Sequence, residues 1–239
     1  MQAVILAGGQ GTRLRPYTAV LPKPLMPIGD MPILEVVLRQ LRRAGFTDVT
    51  LAVAYLAEMM QAYCGDGSRF GMTLRYSRET GALSTAGPLK LVPGLGETFL
   101  VMNGDILTTL DYAALVRFHR ERGAVATIAT HPRSVRIDFG VVETTADGAL
   151  ARYTEKPEIH YRVSMGVNVL EPKALEYIQP GEALGMPDLM LRLRDAGHRV
   201  MTYSEPCLWL DIGRMDDYEA ALQTFESRRA EFLPEAPRG

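Results

Sequence analysis

Two hydrophobic rhythms divide this chain. Up to residue 130, short apolar runs alternate with stretches of helical spacing. Gln2 to Ala7 is almost wholly apolar and stops at glycines, as a strand buried on both faces does. Pro32 to Ala44 places Ile33, Leu34, Val37, Leu38 and Leu41 on one helical face, with Asp30 as the expected cap and Gly45 closing the end. Asp48 to Ala54 reads as a strand, Glu58 to Tyr63 as a short helix and Met72 to Ser77 as a strand. Thr98 to Met102 follows as another strand and stops at Asn103-Gly104-Asp105. Asp111 to Arg122 is amphipathic, and Val125 to Thr130 is again strand-like.

This β-α-β repetition predicts an α/β fold: a Rossmann-like, mostly parallel sheet flanked by helices. Beyond residue 130 the rhythm changes. Gly140 to Thr144, Leu150 to Glu155 and Val163 to Leu170 read as strands joined by short turns, which predicts a small antiparallel lobe. Helices are expected at Met186 to Ala196 and Asp216 to Arg229, with a strand and the segment CLWLDIG between them. The expected organisation is one domain over 1–232: a core over 1–130, a lobe over 131–213 and a closing helix over 214–232. A frayed tail over 233–239 follows.

Composition narrows the function. The chain has 239 residues, 47% of them hydrophobic, enough for one large α/β domain. With a formal net charge of -2, nothing in the composition suggests a nucleic-acid partner, and any bound anion must be held by locally placed cations. No secretory leader and no apolar run of about 20 residues is visible, so a cytoplasmic protein without a membrane partner is expected. Cys64 and Cys207 lack metal-type spacing and read as buried or half-buried thiols. The four histidines, His119, His131, His160 and His198, are scattered and read as surface or loop residues. Oligomeric state is not encoded in any pattern; a homo-oligomer stays open.

The candidate chemistry starts in AVILAGGQGTRLRPYTAVLPKP, from Ala3 to Pro24. A dinucleotide fingerprint would need a third glycine where Leu14 stands, and Pro16, Pro22, Pro24 and Pro27 forbid the helix that should follow. A P-loop would need GK, which is missing. Gly8, Gly9 and Gly11 instead let backbone N–H groups approach an anion at the carboxyl end of a strand. Arg13 and Lys23 add two cations, one forked and one a point charge, on backbone stiffened by prolines. The competing reading is a solvent-facing loop kept soluble by its cations.

Asp105 ends FLVMNGD and Asp211 ends CLWLD. Two strand-end aspartates could meet at the mouth of one sheet and hold Mg²⁺ together with substrate phosphates, or each could cap a turn. No Ser-His-Asp or Cys-His set is present. An anionic phosphate nucleophile would need none, since positioning and charge neutralisation suffice. In the lobe, Lys156 stands beside a proline as Lys23 does. Glu155 and Asn168 are polar residues in apolar strand surroundings that could pair with sugar hydroxyls.

Taken together, LAGGQGTRLRPYT, PKPLMPI, STAGPL (84–89), NGD (103–105), FGVVE (139–143), EKP (155–157), GVN (166–168) and WLDIG (209–213) resemble the sugar-1-phosphate nucleotidylyltransferases, in that family's order and over nearly the whole chain. The resemblance implies transfer of a nucleotidyl group from an NTP to a sugar 1-phosphate, with Mg²⁺ and release of pyrophosphate. It implies catalytic roles for Arg13, Lys23 and Asp105, and metal ligation by Asp105 and Asp211. It places the nucleotide against Leu6, Ala7, Gly8, Gly9, Gly11, Thr12, Ser84, Thr85, Ala86, Gly87, Asn103 and Gly104. It places the sugar phosphate against Gly140, Glu155, Lys156 and Asn168. Ser84 departs from the family's LGTAG, where a glycine is usual. The look of PKPLMPI and NGD is nearest to mannose-1-phosphate guanylyltransferase-like and heptose-phosphate members. A uridylyltransferase acting on glucose or N-acetylmuramate phosphates is the alternative, and a non-catalytic nucleotide-sugar-binding subunit is the rival from another class.

Overall fold

The computed structural model describes residues 1–79 and 81–234; most of the expected tail therefore lies outside the described residues. Seven strands build the main sheet. In chain order they are β1 (Gln2–Ala7), β4 (Asp48–Val53), β5 (Thr73–Arg78), β6 (Phe99–Asn103), β8 (Ala126–Arg136), β11 (Glu158–Leu170) and β12 (Val200–Tyr203). Across the sheet the order is β12-β8-β11-β6-β1-β4-β5. β6, β1, β4 and β5 run parallel, as their apolar runs predicted. β11 enters antiparallel between β6 and β8.

Small ladders complete the set: β2 (Pro27–Ile28) with β3 (Met31–Pro32), β7 (Ile106–Thr108) with β13 (Trp209–Asp211), and β9 (Val141–Thr144) with β10 (Leu150–Thr154). The helices are α1 (Ile33–Arg43), α2 (Ala57–Cys64), α3 (Tyr112–Glu121), α4 (Met186–Asp195) and α5 (Met215–Phe232).

Strand alternation divides the core between the two sheet faces. Ala3, Ile5 and Ala7 of β1 join the apolar faces of α1, α2, α3 and α5 on one side. Val4 joins α4 and the segment around Ala86 to Val92 on the other. In α1, Ile33, Leu34, Val36, Val37, Leu38 and Leu41 are all fully buried. Each such side chain contributes about 1.5–3 kcal/mol of burial free energy, so α1 is a rigid wall behind the loop that precedes it. Asp111 caps α3 by accepting the Ala114 N–H at 2.9 Å.

Three local expectations change. Pro32, not Asp30, occupies the N-cap of α1, and Asp30 instead pairs with Arg229 at 2.7 Å. β8 and β11 run well past the core as one long antiparallel ribbon, which with the β9–β10 hairpin forms the predicted lobe. His119 is not a surface residue: it is fully buried, bonded to Thr127 Oγ1 at 2.8 Å and to Glu171 at 3.1 Å. The cysteines are as expected, both free, Cys64 buried and Cys207 half-buried.

Candidate active site

Leaving β1, the chain makes no long helix. It folds through single turns of tight helix at Thr12–Leu14, Tyr17–Ala19 and Lys23–Leu25, as the proline spacing requires. Thr18 Oγ1 donates to the Gly11 carbonyl at 2.8 Å and pins the loop on itself. The loop walls a cleft of about 470 Å³, whose lining includes Leu6, Ala7, Gly8, Gly9, Gly11, Thr12, Arg13, Lys23, Ser84, Thr85, Asn103 and Asp105. Most of the nucleotide-side residues expected from sequence are therefore in one place.

Three of them are not in that lining, and the backbone shows what they do instead. Ala86 and Gly87 donate their N–H groups to the Leu184 carbonyl at 2.8 and 3.1 Å. A Cβ on Gly87 would stand 2.3 Å from the Glu182 carbonyl oxygen, so this glycine permits close packing of two loops. Gly104 spends its N–H on the Leu6 carbonyl at 2.9 Å.

A second cleft, of about 500 Å³, adjoins the first and shares Thr85 and Asn103 with it. Asn168, Trp209, Met165 and Asp211 are among its walls. Trp209 is fixed there by donating Nε1–H to the Met165 carbonyl at 3.1 Å. Asn168 is buried, and its side-chain oxygen has no hydrogen-bond partner within the protein. A buried amide oxygen without a partner costs free energy unless a ligand satisfies it.

At the seam of the two clefts stand the charged groups. Asp105 lies in the two-residue turn between β6 and β7, and Asp211 ends β13, paired in register with Ile106. The Ile212 N–H donates to the Asp105 carbonyl at 3.3 Å, so the two aspartates are neighbours across the β7–β13 ladder. Lys23 Nζ donates to Asp105 Oδ2, and both side chains are largely buried. Asp105 Oδ1 is buried without a partner. Asp211 is open to the cleft, yet desolvation by the surrounding walls first, and then the Asp105 charge, push its carboxyl above its ordinary range; Lys23 and Arg13 pull the other way. The Arg13 guanidinium lies against Gly213, less than 4 Å from where a Cβ there would stand.

Among the described residues, no group of three or more His, Cys, Asp or Glu side chains converges to hold a metal alone. Two adjacent carboxylates, one with an orphaned oxygen, fit Mg²⁺ whose remaining ligands are water and substrate phosphates.

Gly140, Glu155 and Lys156 fall outside both clefts, flanking the open end of the β9–β10 hairpin. A Cβ on Gly140 would stand 2.4 Å from the Tyr153 hydroxyl and 3.0 Å from Glu155, so these three residues form one cluster. Lys156 has φ 45°, a left-handed conformation unusual for a residue with a side chain.

Sequence reasoning missed Glu79. It follows β5, its N–H bonded to the Val53 carbonyl at 3.1 Å, and it lines the first cleft. Its carboxylate lies against Gly8, where any Cβ would collide with it at 2.0 Å. Burial pushes its carboxyl above the usual range, against the pull of the Leu83 N–H.

The family described as nucleotidyl transferase matches residues 2–228. The chain belongs to the nucleotidyl transferase family. Within it, the chain is 37% identical over 248 residues to a UTP–glucose-1-phosphate uridylyltransferase of Synechocystis, covering 95% of this chain and 64% of that protein. It is 32% identical to the mannose-1-phosphate guanyltransferase beta-A of Xenopus laevis, covering 99% of this chain and 69% of that one. Thus the chain spans only about two thirds of the length of these relatives. The crystal structure of HddC from Yersinia pseudotuberculosis complexed with GMP-PN superposes with a TM-score of 0.70 at 23% identity, covering 94% of this chain and 99% of that one. That likeness shows the nucleotidyl transferase fold. No helix among the described residues is long and apolar enough to cross a membrane.

Proposed function

We propose that this chain transfers a nucleotidyl group from an NTP to a sugar 1-phosphate, giving a nucleotide sugar and pyrophosphate. The observation that carries the reading is the meeting of Lys23, Asp105 and Asp211, with Arg13 close by, where two clefts join. The triphosphate fits the glycine-walled cleft, with Arg13 and Lys23 against its phosphates. The sugar 1-phosphate fits the second cleft, with the unpartnered Asn168 oxygen accepting from a sugar hydroxyl. Glu155, Lys156 and the Gly140 backbone are assigned to the sugar phosphate by the family's motifs and would have to approach it from outside the two clefts; the strained backbone of Lys156 supports a functional role for it.

A phosphate oxygen of the sugar phosphate attacks the α-phosphorus of the NTP. A new P–O bond forms, the bond to the β-phosphate breaks, and its electron pair leaves on pyrophosphate. The nucleophile is already an anion, so no general base is required. Arg13 and Lys23 offset negative charge as it shifts towards the leaving group; Lys23 is largely buried, where a charge counts for more than in water. Asp105 and Asp211 would hold Mg²⁺, which when bound would supply further charge neutralisation and help align the phosphates.

Glu79 supports a guanine base. An ionised carboxylate accepts from the adjacent N1–H and N2–H₂ of guanine. Uracil offers one N–H flanked by two carbonyl oxygens that a carboxylate repels. GTP with mannose 1-phosphate or a related manno-configured phosphate is the favoured pair. The 37% identity to a glucose-1-phosphate uridylyltransferase keeps UTP with glucose 1-phosphate as the second reading. Pyrophosphate release across a panel of NTPs and sugar 1-phosphates tests this: GTP with mannose 1-phosphate is expected to turn over fastest, and Asp105→Asn to abolish turnover. No release with any pair, alongside tight binding of a nucleotide sugar, would make the chain a non-catalytic binding subunit instead.

A further inference from the structure

Away from the substrate clefts, a third cleft of about 1100 Å³ opens between α1, the turn at Ser68–Phe70 and the end of α5. Arg39, Arg42, Arg43, Arg69 and Arg229 line it, and among the described lining residues Glu35 is the one acid, with Asp30 paired to Arg229 beside it. In a chain whose overall formal charge is -2, this is a strong local excess of positive charge.

Four of the guanidiniums are held in place, Arg43 by donating Nη1–H to the Pro234 carbonyl at 2.8 Å. Arg39 donates Nε–H to Glu35 Oε1 at 3.0 Å and Nη2–H to the same oxygen at 2.5 Å. Arg69 stacks 4.2 Å over Tyr63 and 4.4 Å over Phe70, with Glu35 3.6 Å away. Arg229 is anchored by Asp30 at 2.7 Å. Each keeps further N–H donors beyond those it has spent. Arg42 and Arg43 are exposed, and no carboxylate of the described residues lies within ion-pair distance of either. Arg39 and Arg43 stand one helical turn apart, about 6 Å along α1, farther than one phosphate spans. Gln40 Nε2 donates to the Thr108 carbonyl at 2.9 Å and to the Phe232 carbonyl at 3.0 Å. That bridge fixes the end of α5 to α1, so the walls are set before any ligand arrives.

We propose that this cleft is an anion-binding site for a diphosphate- or triphosphate-bearing metabolite, separate from the substrate clefts. Fixed, forked guanidiniums in numbers beyond their acidic partners are the donor set that linked phosphates require. The site stands independently of the reaction assigned above.

Calorimetric titration of the full chain in EDTA tests it, with sodium tripolyphosphate and GTP as probes. The variant Arg13→Ala/Lys23→Ala, which disables the substrate cleft, is expected to keep one tripolyphosphate site whose affinity falls with added salt. Adding Arg42→Ala/Arg43→Ala to it is expected to weaken that site roughly tenfold or more. Arg42→Ala/Arg43→Ala alone should leave the circular-dichroism spectrum and the basal turnover unchanged. GTP binding at least as tightly as tripolyphosphate to the Arg13→Ala/Lys23→Ala variant sustains the site and identifies a nucleotide ligand; weaker GTP binding sustains it and identifies an inorganic polyphosphate. Absence of tripolyphosphate binding to that variant at low salt, or binding indifferent to the loss of Arg42 and Arg43, overturns the proposal.

Discussion

Replacing Lys23 by methionine keeps the length of the side chain and removes its charge. The ammonium is bonded to Asp105 Oδ2, while Asp105 Oδ1 already lacks a partner. Side-chain exposures of 11% for Lys23 and 24% for Asp105 place the pair between surface and core. A hydrogen bond to a charged group contributes about 1.5–3 kcal/mol; discounted for partial exposure, the loss should be about 1–2 kcal/mol. For a chain of this size each kcal/mol moves Tm by roughly 2–4 °C, so the variant should melt about 2–8 °C lower in EDTA at about pH 8.

The sign of the pH dependence follows from Asp211. Its carboxyl is raised in the folded state by desolvation and by Asp105, and Lys23 opposes the shift. A folded protein that holds this proton more tightly than the unfolded chain gains stability as pH falls through the raised folded value, and loses it as pH rises. Lys23→Met raises Asp211 further. The deficit of the variant should therefore shrink in mild acid and reach its full size above the folded value. Mg²⁺ should raise the melting point of the variant more than that of the parent, because it restores positive charge between the two aspartates. Thermal unfolding from about pH 4, near the ordinary carboxylate range, to about pH 8, with EDTA or Mg²⁺, reads all of this. An unchanged Tm in EDTA at the upper end, or a deficit of equal size throughout the range, refutes the reasoning.

Other perturbations address single residues. Glu79→Gln should lower kcat/KM for GTP by roughly 10- to 100-fold, the loss of a charge-assisted pair, and change UTP little; equal losses for both would remove Glu79 from base reading. Ser84 sits at φ 63°, and a left-handed non-glycine residue costs about 1–2 kcal/mol. Glycine returns part of that as chain entropy, so Ser84→Gly should gain about 0.5–1 kcal/mol net in unfolding experiments; a loss of stability would show that the serine side chain is satisfied there. Lys156→Ala should raise KM for the sugar 1-phosphate by about tenfold and leave the NTP term alone; the reverse pattern would move Lys156 to the nucleotide side.

Much of this was legible in sequence because the site hangs on local signals. Glycines after a parallel strand and prolines that forbid a helix specified the loop. Asp105 and Asp211 were visible as strand-end acids. Their adjacency was not, because it depends on the pairing of Ile106 with Asp211, a contact between residues far apart in the chain. Ala86, Gly87 and Gly104 were placed in the nucleotide site by motif alone, and their N–H groups turn out to be bonded to Leu184 and Leu6. Glu79 was missed because SRETG reads as a polar turn. The available signal was its position directly after a core strand, at the same sheet end as the other site residues. His119 was misread although it follows Leu115 by four positions, on the apolar stripe of α3. The arginine cleft was hidden because Arg39, Arg42 and Arg43 on α1 meet Arg69 and Arg229 only through tertiary packing.

The central claim is nucleotidyl transfer to a sugar phosphate, and following a label on the α-phosphate tests it most directly. With α-labelled GTP, mannose 1-phosphate and Mg²⁺, the label should appear in a phosphatase-resistant nucleotide sugar, in step with release of unlabelled pyrophosphate, and Asp105→Asn should prevent it. Label that stays in GTP, or that appears in GDP or GMP with no nucleotide sugar formed across the whole panel of NTPs and sugar 1-phosphates, would contradict the account.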